Sequence, residues 1–205
     1  MTAPAKPWSR PYGGYHNAVR PAEDATLTHV GPGTPGGDYL RRFWHPVAMT
    51  TEVTDVPLAI RIMGEDLVLF RDRSDRYGLL HRHCAHRGTS LEWGIPQAKG
   101  LRCCYHGWTY DIDGTCLEIP GEPPTSTLKD RIFQGAYLVK EYKGLVFAYM
   151  GPRDCVPDFP FYDTFLYPQD DEAIPYSIDY ACNWLQSHEN GADPVHTAFL
   201  HTIAS

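Results

Sequence analysis

Residues 84–108 read CAHRGTSLEWGIPQAKGLRCCYHGW and decide the fold. Metal-ligating residues stand at both ends of this stretch, with Cys84 and His86 at the start and Cys103 and His106 at the end. The pattern is C-x-H-x16-C-x2-H, so each end supplies one thiol and one imidazole. A thiol and an imidazole on each of two arms indicate a metal centre held between two loops.

Two kinds of centre use these four ligands. A Rieske [2Fe–2S] cluster takes two thiolates on one iron and two imidazoles on the other. A structural zinc site takes two Cys and two His around one ion, and zinc remains the alternative. Gly88 and Gly107 follow the ligands and allow each loop to turn tightly over a cluster. We expect a cluster, which points to one-electron transfer.

The two arms, CAHRG at 84–88 and CCYHGW at 103–108, resemble the cluster loops of Rieske non-haem iron ring-hydroxylating oxygenases. The resemblance covers nearly the whole chain from Trp44. Residues 40–46 (LRRFWHP) and 105–108 (YHGW) are most similar to the phthalate-dioxygenase-like branch. It implies that the chain is the N-terminal part of an α (oxygenase) subunit.

Composition narrows the functional classes. A net charge of −7 argues against a nucleic-acid partner. No apolar run approaches the ~20 residues that span a membrane, and no secretory signal is visible, so we expect a cytoplasmic protein. Six cysteines in 205 residues do not make a disulfide scaffold. The four cysteines outside the predicted ligand set are expected to be reduced and buried: Cys104, Cys116, Cys155 and Cys182.

Short strands and tight turns predict a mostly β domain over residues 44–152, an antiparallel β-sandwich of short strands with two cluster-binding loops. Hairpins are expected over residues 59–70, 108–119 and 138–150, the second with a type I′ turn at Asp113-Gly114. Residues 1–43 read as an N-terminal arm, extended over the first 36 residues, with a short helix over 38–43 that Asp38 caps.

Residues 153–205 read as a connector followed by the truncated start of an α+β catalytic domain with a mononuclear iron site. The connector is rich in Pro, Asp and aromatic residues. A strand is predicted over residues 174–180 and a largely helical segment over residues 181–201.

The helical segment contains D-x2-H-x4-H, which resembles the mononuclear iron segment of the same oxygenase family. The resemblance implies that His196 and His201 bind Fe(II), that Asp193 bridges the iron to the cluster of a neighbouring subunit, and that Asn190 lies near the iron. The third ligand, a carboxylate, would lie beyond Ser205. In the alternative reading these histidines are surface or core residues and Asp193 is only a helix cap before a proline.

Helix geometry adds one expectation. At about 100° per residue, His196 and His201 lie about 140° apart around an ideal helix. We therefore expect a bulge or a tightened turn between them, since both rings must face one metal.

The resemblance also implies partners and chemistry. It implies a head-to-tail homotrimer and electrons from NAD(P)H through a reductase or ferredoxin. The substrate would be an aromatic compound that is hydroxylated, dihydroxylated or demethylated with O₂. We expect this chain alone to be inactive. A Rieske ferredoxin-like electron carrier without its own catalytic site and a zinc-binding module are the alternative functions.

The cluster surroundings suggest a low potential. Rieske proteins of respiratory complexes have a disulfide between the loops and a hydroxyl residue near the cluster. The matching positions here hold Thr89, Tyr105 and Trp108, so we expect roughly −150 to +50 mV. Four basic residues near the loops either steer an acidic electron donor or form a solvated rim: Arg82, Arg87, Lys99 and Arg102.

Overall fold

The computed structural model describes residues 22–166 and 173–202. Most of the expected arm, residues 1–21, part of the connector, residues 167–172, and residues 203–205 lie outside the described residues. The described chain is mostly antiparallel β structure, as predicted. Its strands are β1 Trp44–Met49, β2 Leu58–Ile62, β3 Glu65–Arg71, β4 Tyr77–His81, β5 Ile95–Pro96, β6 Leu101–Arg102, β7 Thr109–Tyr110, β8 Cys116–Glu118, β9 Ala136–Tyr142 and β10 Leu145–Tyr149.

The strands form two sheets. A six-stranded sheet has the order β1-β10-β9-β4-β3-β2, and a four-stranded sheet has the order β5-β6-β7-β8. The first predicted ligand loop follows β4, and the second connects β6 to β7. The smaller sheet therefore carries one loop and the larger sheet leads into the other.

Strand β3 is buried on both faces and separates two apolar cores. Leu67 and Leu69 pack into one core with the inward residues of β10, whereas Val68 and Phe70 pack into the other. This follows from the two-residue period of a strand, which places successive side chains on opposite faces. The second core contains both cysteines of the predicted ligand set.

All three predicted hairpins are present, although their strands differ in length from the prediction. The expected type I′ turn at Asp113-Gly114 is wrong, because Asp113 does not have a positive φ. Instead, the Gly114 N–H donates to Asp111 O at 3.0 Å and Gly114 has φ +89°, which is a type I turn followed by a left-handed glycine. The Asp113 side chain accepts the Thr115 N–H at 2.9 Å, which favours this turn.

The N-terminal segment differs from the prediction. Helices α1 Ala25–Thr28 and α2 Pro35–Leu40 lie where an extended arm and then a helix over 38–43 were expected. Thr34, not Asp38, caps α2, and its hydroxyl accepts the Gly37 N–H at 3.1 Å. Thr followed by Pro is a strong start signal because proline has no N–H to leave unpaired in the first turn.

Short 3₁₀ turns lie between the strands and within the connector. They lie at Thr50–Glu52, Leu91–Trp93, Leu128–Arg131, Arg153–Cys155 and Asp163–Phe165. Aromatic residues of the connector pack edge-to-face on the β9–β10 hairpin, with the Phe159 and Phe147 ring centroids 5.0 Å apart. The connector is thereby held against the larger sheet.

The C-terminal segment is only partly as predicted. Helices α3 Trp184–Ala192 and α4 Pro194–Leu200 confirm the largely helical stretch. The predicted strand over 174–180 is wrong, because those residues pair with no strand in the described chain and their apolar side chains are exposed. An alternating pattern becomes a strand only where a partner strand is available. No helix among the described residues is both long and apolar enough to cross a bilayer.

Candidate metal centre

The two predicted ligand loops are built alike. Each has six residues, begins at a cysteine and contains one left-handed glycine, with φ +74° at Gly88 and +73° at Gly107. In each loop the glycine N–H donates to the cysteine carbonyl, and the cysteine N–H donates to the carbonyl of the last residue. The distances are 2.9 and 2.9 Å in Cys84–Thr89, and 3.1 and 2.8 Å in Cys103–Trp108.

The two cysteines form a buried pair. Cys84 and Cys103 are 4% and 3% exposed, and their thiols are within hydrogen-bonding contact. Burial raises the pKa of the Cys103 thiol, and the neighbouring Cys84 raises it further. The backbone N–H groups of Tyr105 and His106 point at the Cys103 sulfur and oppose this rise. Such donors favour a bound thiolate.

The two histidines form an exposed pair beside the cysteines. The ring centroids of His86 and His106 are 4.6 Å apart, and the His86 ring stacks on Trp108 at 4.4 Å. Loss of solvent around the ring lowers the pKa of His86, and the charges of His106 and Arg87 lower it further. The neutral imidazole, which is the form that binds metal, is therefore favoured.

The donor set fits a two-iron cluster. One thiolate pair and one imidazole pair would supply two protein ligands to each iron of a [2Fe–2S] cluster. Within residues 22–166 and 173–202, no three His, Cys, Asp or Glu side chains group around a single metal-ion position. A structural zinc ion needs four ligands around one point.

Tyr110 is a neighbour of the centre that the sequence prediction missed. Its hydroxyl lies 3.2 Å from Cys84 Sγ, and the side chain is fully buried. Burial raises the Tyr110 pKa, and the nearby cysteines raise it further, so the hydroxyl keeps its proton. The available signal was the period of β7, because Trp108 and Tyr110 are two residues apart and share one face.

Three of the four basic residues near the loops are paired with acids. Arg82 binds Glu92 at 2.7 Å, Lys99 binds Asp111 at 3.0 Å and Arg102 binds Glu118 at 2.9 Å. Arg87 is exposed and has no acidic partner among the described residues. The solvated-rim interpretation therefore fits these three residues better than steering.

The remaining cysteines differ from the prediction. All six cysteines carry free thiols, but only Cys116 of the four non-ligand cysteines is buried. Cys104, Cys155 and Cys182 are exposed, because they lie on a loop tip, a 3₁₀ turn and the start of the helical segment. Cys116 lies in the same core as the predicted ligand cysteines.

The second predicted site lies on α4. The Asp193 carboxylate caps this helix, accepting the Val195 N–H at 2.8 Å and the His196 N–H at 3.4 Å. The other carboxylate oxygen lies 3.9 Å from His196 Nδ1, which is buried without a hydrogen-bond partner. Asn190 lies in the last turn of α3, where its carbonyl accepts the Asp193 N–H at 3.3 Å.

The predicted distortion between the two histidines is wrong. Residues 194–200 form a regular helix, and the His201 N–H donates to Thr197 O at 3.3 Å. The rings nevertheless meet, with the His196 and His201 centroids 5.5 Å apart at 72°. His201 is the C-cap residue, so its side chain is less restricted by helix neighbours. An orphaned imidazole nitrogen beside a second imidazole fits a metal-binding pair, but no third ligand joins it among the described residues.

Comparisons with known proteins identify the domain that contains the two loops. The family model described as the Rieske [2Fe-2S] domain matches residues 43–143. The chain is 57% identical over 175 residues to the oxygenase subunit of tert-butanol monooxygenase / tert-amyl alcohol desaturase from Aquincola tertiaricarbonis, covering 85% of the chain and 37% of that protein. It is 46% identical to the phenoxybenzoate dioxygenase subunit alpha from Ectopseudomonas oleovorans, covering 89% of the chain and 48% of that protein.

The fold of the chain is also similar to that of a solved structure. The Pseudomonas putida CBB5 NdmA QL mutant with theobromine matches with a TM-score of 0.68 and 29% identity, over 80% of this chain and 50% of that one. The chain thus spans less than half the length of the two curated relatives.

Proposed function

Because the chain belongs to the Rieske oxygenase family and carries its [2Fe–2S] domain, we propose that it is part of an oxygenase component. In that component the bound cluster supplies one-electron transfer and a mononuclear Fe(II) supplies O₂-dependent hydroxylation, dihydroxylation or demethylation. The observation that carries the proposal is the pairing of buried Cys84 and Cys103 beside exposed His86 and His106.

In the proposed site each pair has one task. Cys84 and Cys103 would hold one iron in the apolar core, and His86 and His106 would hold the other at the surface. The exposed rings bring that end of the centre within reach of a reductase or ferredoxin, which would draw on NAD(P)H. The stack of His86 on Trp108 orients the imidazole plane before the cluster binds.

The second site is proposed on α4. His196 and His201 would bind Fe(II), Asn190 would lie near it, and Asp193 would link the iron to the cluster of a neighbouring subunit in a homotrimer. The 3.9 Å approach of the Asp193 carboxylate to His196 supports a pairing that fixes the imidazole tautomer.

Two substrate classes are supported. An aromatic substrate is supported by the 46% identity to a phenoxybenzoate dioxygenase subunit. A small tertiary alcohol is the second candidate, because the relative with 57% identity is named for tert-butanol and tert-amyl alcohol.

The test is a count of iron and acid-labile sulfide on anaerobically purified protein. We expect about two irons and two sulfides per chain for the cluster, and about three irons if α4 also binds metal. Cys84→Ser should abolish the sulfide, whereas Cys116→Ser, a buried cysteine of the same core, should not. Zinc without sulfide would overturn the proposal in favour of a zinc-binding module.

The α4 site has its own control. His201→Ala should remove only the third iron, and His188→Ala on α3 should remove none. A count of two irons that neither variant changes would support the electron-carrier alternative.

A further inference from the structure

Gln134 is a polar side chain buried among the elements that carry the first ligand loop, and it is only 1% exposed. Its Oε1 accepts the N–H of Ala85, the residue between the two predicted ligands of that loop, at 2.8 Å. Its Nε2 donates to the carbonyls of His81 at 2.7 Å and His83 at 2.9 Å. Both amide hydrogens and the amide oxygen are therefore used on alternate residues of one segment.

These bonds continue a strand pairing by means of a side chain. Strand β4 pairs with β9 through Leu80 and Ala136, and the His81 N–H then donates to Gly135 O at 2.8 Å. Beyond this point β9 offers no further backbone partner to the chain entering the loop. The Gln134 carboxamide supplies the next donors and acceptor, so the backbone keeps its direction up to Ala85.

The backbone of Gln134 is fixed to a different element. Its N–H donates to Gly114 O at 2.9 Å, and a Cβ at Gly114 would lie 1.9 Å from the Gln134 carbonyl oxygen. Gly114 is in the turn of the β7–β8 hairpin, which continues directly from the second ligand loop. Gln134 thus connects the first ligand loop to the β7–β8 hairpin, which follows the second ligand loop.

We propose that Gln134 is a positioning residue that sets the orientation of the first ligand loop, and with it Cys84 and His86, relative to the second loop. The inference rests on the proposed function and extends it to a residue whose hydrogen bonds go only to the backbone. Its loss would remove the partner of the Ala85 N–H and of the His81 carbonyl, and would leave the His83 carbonyl with only the longer contact to His81 Nδ1 at 3.4 Å. Part-buried backbone groups that lose such partners destabilise the loop conformation.

The test uses the full chain with its cluster and the substitution Gln134→Leu. We expect a chelator to bleach the visible absorbance of the variant about tenfold faster, and the EPR g-values of the remaining reduced cluster to shift. Gln97→Leu is the matched control. The Gln97 amide also donates to two carbonyls, those of Ile95 at 3.0 Å and Pro96 at 3.3 Å, but it contacts neither ligand loop. It should leave both readings unchanged.

Gln134→Glu keeps an acceptor for Ala85 but replaces the two amide donors by a carboxyl group, which carries a negative charge or at most one O–H donor, so the His81 and His83 carbonyls lose at least one of their two bonds even if the leucine variant does not fold. A shifted g-value in this variant supports the proposal. Unchanged g-values in the Gln134 variants, even with faster bleaching, would overturn it in favour of a purely structural role. A wild-type chain without a Rieske spectrum would overturn the proposed function, and this inference with it.

Discussion

At the scale of single residues, a buried hydroxyl beside the predicted thiol ligands bears on the reduction potential of the proposed cluster. Tyr110 is the one side-chain hydroxyl that the structure places against a predicted ligand, 3.2 Å from Cys84 Sγ within the described chain. A hydrogen bond to a cluster thiolate stabilises the added negative charge of the reduced state more than the oxidised state, and so raises the reduction potential.

Tyr110→Phe should therefore lower the midpoint potential of the cluster, on the order of 50 mV, which for a one-electron couple is about 1 kcal/mol, the net contribution of one ordinary hydrogen bond. Protein-film voltammetry on the wild-type and variant chains measures this. Tyr137→Phe is the control, because Tyr137 also loses a short hydrogen bond, 2.6 Å to Glu65, but contacts neither cysteine. Equal potentials in wild type and Tyr110→Phe would refute the role.

The ligand candidates were visible in the sequence, whereas their supports were not. Cys and His at fixed spacing are chemically specific, so four positions could be chosen from residues alone. Tyr110 reaches Cys84 across 26 residues, and Gln134 reaches Ala85 across 49. Such contacts depend on how two hairpins pack. The period of β7 puts Tyr110 on the same face as Trp108 but does not show that it meets Cys84, and no local pattern indicates the contacts of Gln134.

At the scale of elements, a buried carboxylate organises the turn between β3 and β4. The Asp72 side chain is fully buried and accepts N–H groups of Ser74 at 3.0 Å, Arg76 at 3.0 Å and Gly100 at 3.2 Å. The Arg76 guanidinium approaches it at 2.6 Å. The turn is thus joined to the chain that leads into β6, just before the second ligand loop.

Asp72→Asn should lower the free energy of unfolding at pH 7 by about 2 kcal/mol, because it removes the charge from the carboxylate that three backbone N–H groups and Arg76 donate to, although Asp111 at 2.9 Å still pairs with Arg76. Urea unfolding of the metal-free chain measures this. Asp66→Asn, in the exposed pair with Arg61 at 3.0 Å, should change it by less than about 1 kcal/mol. A similar loss in both variants would contradict the assigned role.

The contribution of Asp72 to the free energy of unfolding should depend on pH. Burial works to raise the Asp72 pKa, but the N–H groups of Arg76 and Gly100 and the Arg76 side chain together lower it below the ordinary value. The ionised carboxylate therefore stabilises the fold above about pH 4, and this contribution disappears as the pH falls through the lowered pKa. The difference in unfolding free energy between wild type and Asp72→Asn should shrink at acid pH. A constant difference from pH 7 to pH 3 would contradict this origin.

The element predictions succeeded where local chemistry decides and failed where a partner decides. The β9–β10 hairpin has positive φ at both Lys143 and Gly144, as a two-residue turn requires. Residues 174–180 have the alternation of a strand but pair with no strand in the described chain. At Asp113, side-chain hydrogen bonding overrode the turn type that the dipeptide favours.

At the scale of the whole molecule, the α3–α4 segment is attached to the N-terminal segment. The Asn183 side chain donates to Thr28 O at 3.0 Å, and the Trp184 indole N–H donates to Leu27 O at 3.2 Å. Arg41 in turn donates to Val30 O at 2.9 Å and reaches the larger sheet. The first described helix therefore links the predicted iron helices to the β domain, a contact across about 155 residues that the sequence did not reveal.

Trp184→Phe should loosen this attachment while keeping an aromatic ring in place. We expect amide hydrogen exchange in α3 to quicken about fivefold, equivalent to about one hydrogen bond. Trp93→Phe, at an exposed tryptophan in the Leu91–Trp93 turn, should leave α3 unchanged. Faster exchange in both variants, or in neither, would contradict the attachment.

The thiols of the predicted ligand set are buried and its imidazoles are exposed, which decides from which side electrons can reach the centre. Tyr110 and the apolar core surround the two thiols, so among the described residues the predicted ligands that face outward are His86 and His106. Under the proposed function, electrons would enter and leave the cluster on its imidazole side, while the thiolate side would stay shielded from water and from partner proteins.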